Sequence, residues 1–171
     1  MKEQQTGRET MKTSIIYNSY SGNTRGIAEQ IRKSCGGELI EVKSLEYSSR
    51  LTAYTIGCYR AMKEERDRIE PAIIDVSGSD VVVIGTPVWA KKATTAINGA
   101  IAALQGCSGK RAVLYATCGN AAGDTLPILA RALEAKGMTV TGQFVFTRQD
   151  LRDDKKVEAL AECANQTGRA L

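Results

Sequence analysis

Three short, nearly continuous apolar runs constrain the fold of this chain most strongly, because each is followed by small or polar residues and then by a helical pattern. The runs are Ser14–Tyr17, Asp80–Gly85 and Arg111–Ala116. Since they do not alternate, we expect three strands that are buried on both faces of a parallel sheet. Glu38–Lys43 and Thr139–Thr147 mix polar and apolar residues, which is typical of strands at a sheet edge.

Helical patterns separate the five predicted strands. We predict a first helix that is capped by Asn23 or Thr24. Further helices are predicted to cover Leu51–Arg68 and Thr94–Leu104, to end near Lys136 and to begin at Asp153. With right-handed crossovers and the mixed strands at the edges, the strand order becomes 2-1-3-4-5. The first and third strands are then adjacent at the switch point where ligands bind. We therefore predict one α/β domain over residues 12–171, after a disordered polar extension at residues 1–11.

The composition excludes several kinds of chemistry. The 171 residues include no histidine, so neither histidine acid–base chemistry nor a histidine-containing triad is available. The five cysteines are scattered without a C-x-x-C pair, from which we expect no metal site, free thiols and a cytoplasmic location. The net charge of +4 comes without a run of basic residues, so we expect no nucleic-acid partner. We see no signal peptide and no apolar run that could span a membrane, and expect no membrane insertion.

The loop after the first strand has the composition of an anion-binding loop. Ser19–Thr24 joins the strand to a helix N-terminus, where free backbone N–H groups bind phosphates. Its side chains are neutral donors, and no cation occurs before Arg25, so a bound phosphate would keep most of its charge. An ordinary turn whose Ser and Thr side chains cap the helix explains the same residues equally well.

Two further loops are predicted to reach the same sheet edge. The second, after the third strand, carries Trp89, the only tryptophan of the chain. The third, after the fourth strand, offers small and polar residues for close contact with a ligand, namely Gly119, Asn120, Gly123 and Asp124. Together the three loops suit a phosphorylated, planar, heteroaromatic ligand that stacks on an aromatic side chain. A tryptophan packed in the core is the competing interpretation of Trp89.

Two of these loops resemble motifs of the flavodoxin family. Ser19–Thr24 resembles the loop that binds the FMN phosphate, and Gly85–Trp89 resembles the loop whose tryptophan stacks on the flavin ring. The likeness runs from Thr13 to the C-terminus in matching order. It implies a three-layer flavodoxin-like fold with non-covalent FMN, and the uninterrupted fifth strand is similar to that of short-chain flavodoxins.

The resemblance also implies a role for each loop, with no catalytic side chain and no metal. The phosphate would be held by Ser19, Ser21, Asn23 and Thr24 and by the amide of Gly22, and Tyr20 of the same loop would also belong to the FMN site. The second loop would contact the ribityl chain through Thr86 and the ring through Pro87, Val88, Trp89 and Ala90. The pyrimidine edge would meet Thr117, Cys118, Gly119, Asn120, Gly123 and Asp124.

Three features depart from the flavodoxin pattern. The third loop lacks an aromatic residue, so the second flavin face is either open or covered by a side chain such as Tyr54 or Tyr59. The chain is basic, whereas flavodoxins are usually strongly acidic. The pair Lys91 and Lys92 follows the stacking loop, and cations there predict a less negative potential for the second electron.

The resemblance implies an electron-transfer function in which FMN carries one or two electrons between redox proteins. The alternative is an FMN-dependent NAD(P)H:quinone or small-molecule oxidoreductase, and a third interpretation is a docking module that has lost FMN. Cys118 fits a small packing residue better than a redox thiol, since no second cysteine or base is near it in sequence. The oligomeric state stays open.

Overall fold

Five parallel strands form the central sheet of the computed structural model, which describes residues 11–166. The strands are β1 (Thr13–Tyr17), β2 (Glu38–Glu41), β3 (Val81–Trp89), β4 (Arg111–Thr117) and β5 (Thr139–Phe146). Their order is β2-β1-β3-β4-β5, which confirms the predicted order 2-1-3-4-5 and the α/β class. Ile15 of β1 pairs with Leu39 on one side and with Val83 on the other, so the first and third strands are neighbours.

Five α-helices complete the layers above and below the sheet within the described residues. They are α1 (Asn23–Cys35), α2 (Arg50–Met62), α3 (Thr95–Ala103), α4 (Thr125–Glu134) and α5 (Asp154–Asn165). Asp153 caps α5 through its carboxylate, as the sequence predicts for a helix that starts there. None of the helices in this part of the chain is long and apolar enough to cross a bilayer.

The two faces of the sheet carry separate cores. Ile15 and Val83 point to the face covered by α1 and α5, whereas Ile16 and Ile84 point to the face covered by α3 and α4. Neighbouring residues of each central strand are therefore both buried, and this explains why their sequences are apolar without alternation.

Three local predictions are wrong. The helix predicted over Leu51–Arg68 ends at Met62, because Arg60 bonds to Glu65 and Asp67 and folds the charged segment back against the helix. The strand predicted to end at Gly85 continues to Trp89, because Val88 and Trp89 pair with Lys92 and Ala93 in a hairpin. Helix α1 is preceded by Gly22 and has no side-chain cap from Asn23 or Thr24.

The N-terminal boundary falls at the edge of the described residues. Residues 1–10, where we predict a disordered extension, lie outside them. Met11, which the same prediction assigns to the extension, is half-buried and packs against the core between the sheet and the α1–α5 layer.

Candidate functional site

The loop between β1 and α1 presents free backbone donors. Gly22 has a φ of 91°, a left-handed conformation that turns the chain into the helix. The Ser19 hydroxyl accepts hydrogen bonds from the N–H groups of Gly22 (3.2 Å) and Arg25 (3.3 Å). The amides of Asn23 and Thr24 donate to no acceptor within residues 11–166. Uncapped amides at a helix N-terminus attract an anion, because the helix dipole is positive there.

No unpaired cation accompanies these donors in the loop. The Arg25 guanidinium, the first cation after the loop, donates to the Glu41 carboxylate at the end of β2. An anion at this loop would therefore be held by neutral hydrogen bonds, and its binding there stays a prediction.

The inner side of this loop is fixed to β4. The Thr24 and Thr117 hydroxyls are buried and lie 2.8 Å apart, and the Tyr115 hydroxyl donates to the Thr24 carbonyl at 2.9 Å. Gly85 has to be glycine, since a Cβ there would overlap the Tyr115 ring. Thr24 is therefore turned inward, and it offers the anion site its amide and not its hydroxyl.

The second loop is a tight hairpin that packs against the third loop. Its turn residues, Ala90 (φ 49°) and Lys91 (φ 64°), both adopt the left-handed conformation of a type I′ turn. A Cβ on Gly123 would come within 2.5 Å of the Lys91 Cβ, so glycine allows this close contact. The Lys92 ammonium lies 3.0 Å from the Glu64 carboxylate and 3.9 Å from that of Asp124. Of the two lysines, Lys92 is thus largely neutralised by acidic partners.

Thr86 does not face the surface between the three loops, which we call the cleft. Its side chain is fully buried. The hydroxyl donates to the Pro87 carbonyl (2.8 Å) and accepts from the Thr94 N–H group (3.2 Å). Because Thr94 in turn donates to Asn18 (3.0 Å), Thr86 belongs to a structural network that joins β3 to β1 and α3.

Trp89 is the centre of an aromatic cluster and is not exposed on a loop. Only 4% of its surface is accessible. Its ring centroid lies 4.6 Å from that of Tyr20, 5.6 Å from that of Tyr54 and 6.5 Å from that of Tyr47. Burial raises the pKa of Tyr20 well above its usual value, so its hydroxyl stays protonated. Trp89 is thus packed as the competing interpretation expects, and its cluster lies beside the loop between β1 and α1.

Helix α2 covers this cluster and is held there by a polar network. Its small residues Ala53, Gly57 and Ala61 are buried against the indole. The buried Asp67 carboxylate accepts hydrogen bonds from Arg60 and Thr95, each at 2.7 Å. The Tyr47 hydroxyl also contacts Asp67 (3.4 Å) and Thr95 (3.2 Å). Sequence reasoning missed this network, although the spacing of the three small residues indicates one buried helix face.

The third loop lines the remaining side of the cleft. Thr117 is buried, Cys118 is half-buried, and the side of the loop toward solvent exposes Gly119, Asn120, Gly123 and Asp124. Burial, together with the Asp150 carboxylate, raises the pKa of the Cys118 thiol, which makes it a poor nucleophile.

The three loops are thus in mutual contact. The first meets the third through Thr24 and Thr117, the second meets the third through Lys91 and Gly123, and the first meets the second through Tyr20 and Trp89. Tyr54 joins them from α2, whereas Tyr59 points to solvent. Residues 11–166 contain no cluster of three His, Cys, Asp or Glu side chains that suits a metal ion.

The solved structures most like this chain include flavoproteins and flavodoxins. A candidate flavoprotein from Bacteroides eggerthii is 23% identical, with a TM-score of 0.72 over 92% of this chain and 99% of that one. A flavoprotein in complex with FMN from Lactobacillus acidophilus is 23% identical, with a TM-score of 0.64 over 88% and 99%. The two-electron reduced flavodoxin of Megasphaera elsdenii is 19% identical, with a TM-score of 0.54 over 88% and 98%. These likenesses establish the flavodoxin-like fold.

The family follows from the sequence itself. A search of curated proteins gave no significant match. The family model described as Flavodoxin matches residues 12–126, which is more than half of the chain and includes all three loops. The chain belongs to the flavodoxin family.

Proposed function

We propose that this protein is an electron carrier that binds FMN without a covalent bond and passes one or two electrons between redox proteins. The observation that carries the proposal is the pair of uncapped amides at Asn23 and Thr24, which lie at the switch point of a flavodoxin-family sheet. FMN has the terminal phosphate that such donors bind and the planar ring that an aromatic cluster accommodates. The bound flavin supplies the redox chemistry.

Each of the three loops would bind a different part of FMN. Ser19, Ser21 and Asn23 would bind the phosphate by side chain, and the free amides of Asn23 and Thr24 would donate to it as well. Trp89 would form the buried base of an aromatic wall, whose outer part comes from Tyr20 and Tyr54. The exposed part of the third loop would meet the pyrimidine edge through Gly119 and Asn120.

The side chains support a role in which the flavin, and not a protein group, performs the chemistry. The chain has no histidine, and the raised pKa of Cys118 disfavours a reactive thiolate. We infer that the protein's task is to bind FMN and set its potential. All five thiols are free in the described residues, which suits the reducing cytoplasm that we propose as its location.

Flavin binding tests the cofactor assignment. FMN and riboflavin would be titrated separately with the purified protein, and the quenching of flavin fluorescence gives each affinity. We expect FMN to bind more than a hundredfold more tightly than riboflavin. The variant Asn23→Asp places a carboxylate beside the phosphate, and should weaken FMN binding while riboflavin binding stays unchanged. Equal affinities for FMN and riboflavin would overturn the phosphate assignment.

Reduction then separates the carrier from the oxidoreductase. The FMN-loaded protein would be mixed with NADPH or NADH under anaerobic conditions, with and without a quinone. A carrier leaves both nicotinamides unoxidised and is reduced in two one-electron steps in a spectroelectrochemical titration. Rapid bleaching of the flavin by NADPH would contradict the carrier function and favour the NAD(P)H-dependent oxidoreductase.

A further inference from the structure

Helix α2 exposes large apolar side chains on the face that points away from the sheet. Leu51, Tyr59 and Met62 are 74%, 56% and 57% exposed, and Tyr54 and Cys58 lie between them at helical spacing. We call these five residues the apolar stripe of α2. The opposite face of the helix already buries Ala53, Gly57 and Ala61 on Trp89. An apolar surface of this kind marks a site of interaction with another molecule.

The unpaired charges around the stripe are all positive within the described residues. The acidic residues near α2 are each paired with a cation: Glu46 with Arg68, Glu64 with Lys92, and Glu65 and Asp67 with Arg60. Arg50, Lys63 and Arg66, by contrast, form no ion pair within residues 11–166. The Lys63 ammonium lies over the Tyr59 ring, 4.5 Å from its centroid, so this cation is part of the stripe's rim.

The stripe is continuous with the candidate FMN site. Tyr54 belongs to the stripe, and its ring also lies 5.6 Å from that of Trp89 and 6.3 Å from that of Tyr20 in the loop between β1 and α1. A partner on α2 would thus be separated from the cleft by about one helix diameter, roughly 10 Å.

We propose that the apolar stripe of α2 is the docking surface for an acidic electron-transfer protein, whose contact face has an apolar centre and a rim of carboxylates. The inference rests on the proposed electron-carrier function and names the surface and the charge of the partner. Complementary charges steer the encounter, and the apolar centre supplies affinity.

The test uses the FMN-loaded full-length chain and an acidic plant-type [2Fe–2S] ferredoxin as the probe, with binding measured by calorimetry at low and high salt. We expect binding that weakens with salt and falls at least tenfold in the double variant Leu51→Ser/Tyr59→Ser. The variant Lys63→Gln/Arg66→Gln should lose most of the salt dependence. Ile73→Ser, which removes an exposed apolar side chain outside α2, and Lys155→Gln are the matched controls and should bind as the parent does.

Several results would overturn the proposal. The proposal fails if ferredoxin does not bind, if the basic protein cytochrome c binds with equal affinity, or if the α2 variants leave ferredoxin binding unchanged. Stripe-dependent binding to phosphatidylserine vesicles would make α2 a membrane-contact surface, and a stripe-dependent dimer in light scattering would make it a contact between copies of this chain. FMN affinity is measured in every variant, so a failure of docking with FMN bound is distinguished from a failure of FMN binding itself.

Discussion

Gly57 of α2 lies directly against the six-membered ring of the Trp89 indole, so closely that a single Cβ atom would overlap it. Glycine inside a helix costs about 1 kcal/mol relative to alanine. The glycine at position 57 therefore allows α2 to pack directly against the aromatic cluster.

Gly57→Ala should destabilise the fold in spite of its better helix propensity. Overpacking costs about 1–3 kcal/mol, which outweighs the helical gain of about 1 kcal/mol. Urea unfolding measures the change, and a red shift of the tryptophan emission would report that α2 has moved off the indole. Gly26→Ala in α1 is the control, because its added Cβ meets no atom within 4 Å and should raise stability. If Gly57→Ala stabilised the protein as much as Gly26→Ala, the close packing would be contradicted.

Tyr115→Phe should weaken FMN binding although Tyr115 lies beneath the loop and is fully buried. The change removes the hydrogen bond to the Thr24 carbonyl and leaves the ring packed edge-on against Phe146. We expect a loss of about 1 kcal/mol in the free energy of unfolding, with a lower FMN affinity because the loop is less firmly held. Tyr59→Phe is the matched control, since its hydroxyl is exposed and has no partner in the described residues. Unchanged FMN binding in Tyr115→Phe would argue against a positioning role.

The charges of the hairpin should act on the flavin potential in opposite directions. Lys91→Gln removes an exposed cation, which should make the potential for the second electron more negative. Glu64→Gln removes the carboxylate that neutralises Lys92, which should make it less negative. Shifts on the order of tens of millivolts are expected for charges near a partly solvated site. Spectroelectrochemical titration measures both, with Lys33→Gln in the last turn of α1 as the control. Shifts of the same sign in the two hairpin variants would refute this account.

Protonation of the Asp150 carboxylate should lower the free energy of unfolding at acidic pH. Hydrogen bonds from the Thr147 N–H and hydroxyl groups and from Lys156 lower its pKa to about 2, below the ordinary value of about 3.9. The stabilisation is therefore complete above about pH 4 and is lost as the pH falls toward 2. Asp150→Asn should be less stable than the parent in urea at pH 7, and the difference should shrink toward pH 2. The control is Glu158→Gln, which removes an exposed carboxylate in α5. A deficit that stayed constant with pH would contradict the role of this carboxylate.

The strands and the three loops were predictable because their signals are local. An apolar run such as Asp80–Gly85 indicates burial on both faces by itself, and the residues of Ser19–Thr24 are adjacent in sequence. The strand order followed from comparing whole runs, which requires no knowledge of individual contacts.

The burial of Thr86 was not predictable in this way, and that of Trp89 was only one of two interpretations, because both depend on distant residues. Trp89 is covered by Gly57 of α2, and α2 is held by Asp67, which lies in a charged segment that resembles a solvated helix end. Thr86 is turned inward by the Thr94 amide, which only the hairpin brings near. Tertiary packing therefore determines the orientation of these two side chains.

The position of β1 in the middle of the sheet has a consequence for the order in which the molecule assembles. Thr13 pairs with Val81, and the loop that follows β1 is fixed by Tyr115 and Thr117 of β4. Parallel pairing between distant segments forms late in folding, because a long stretch of chain must first be closed into a loop. A nascent chain that has not yet emerged beyond Thr117 therefore lacks a finished anion-binding loop, and the cofactor can be captured only after most of the protein has been synthesised.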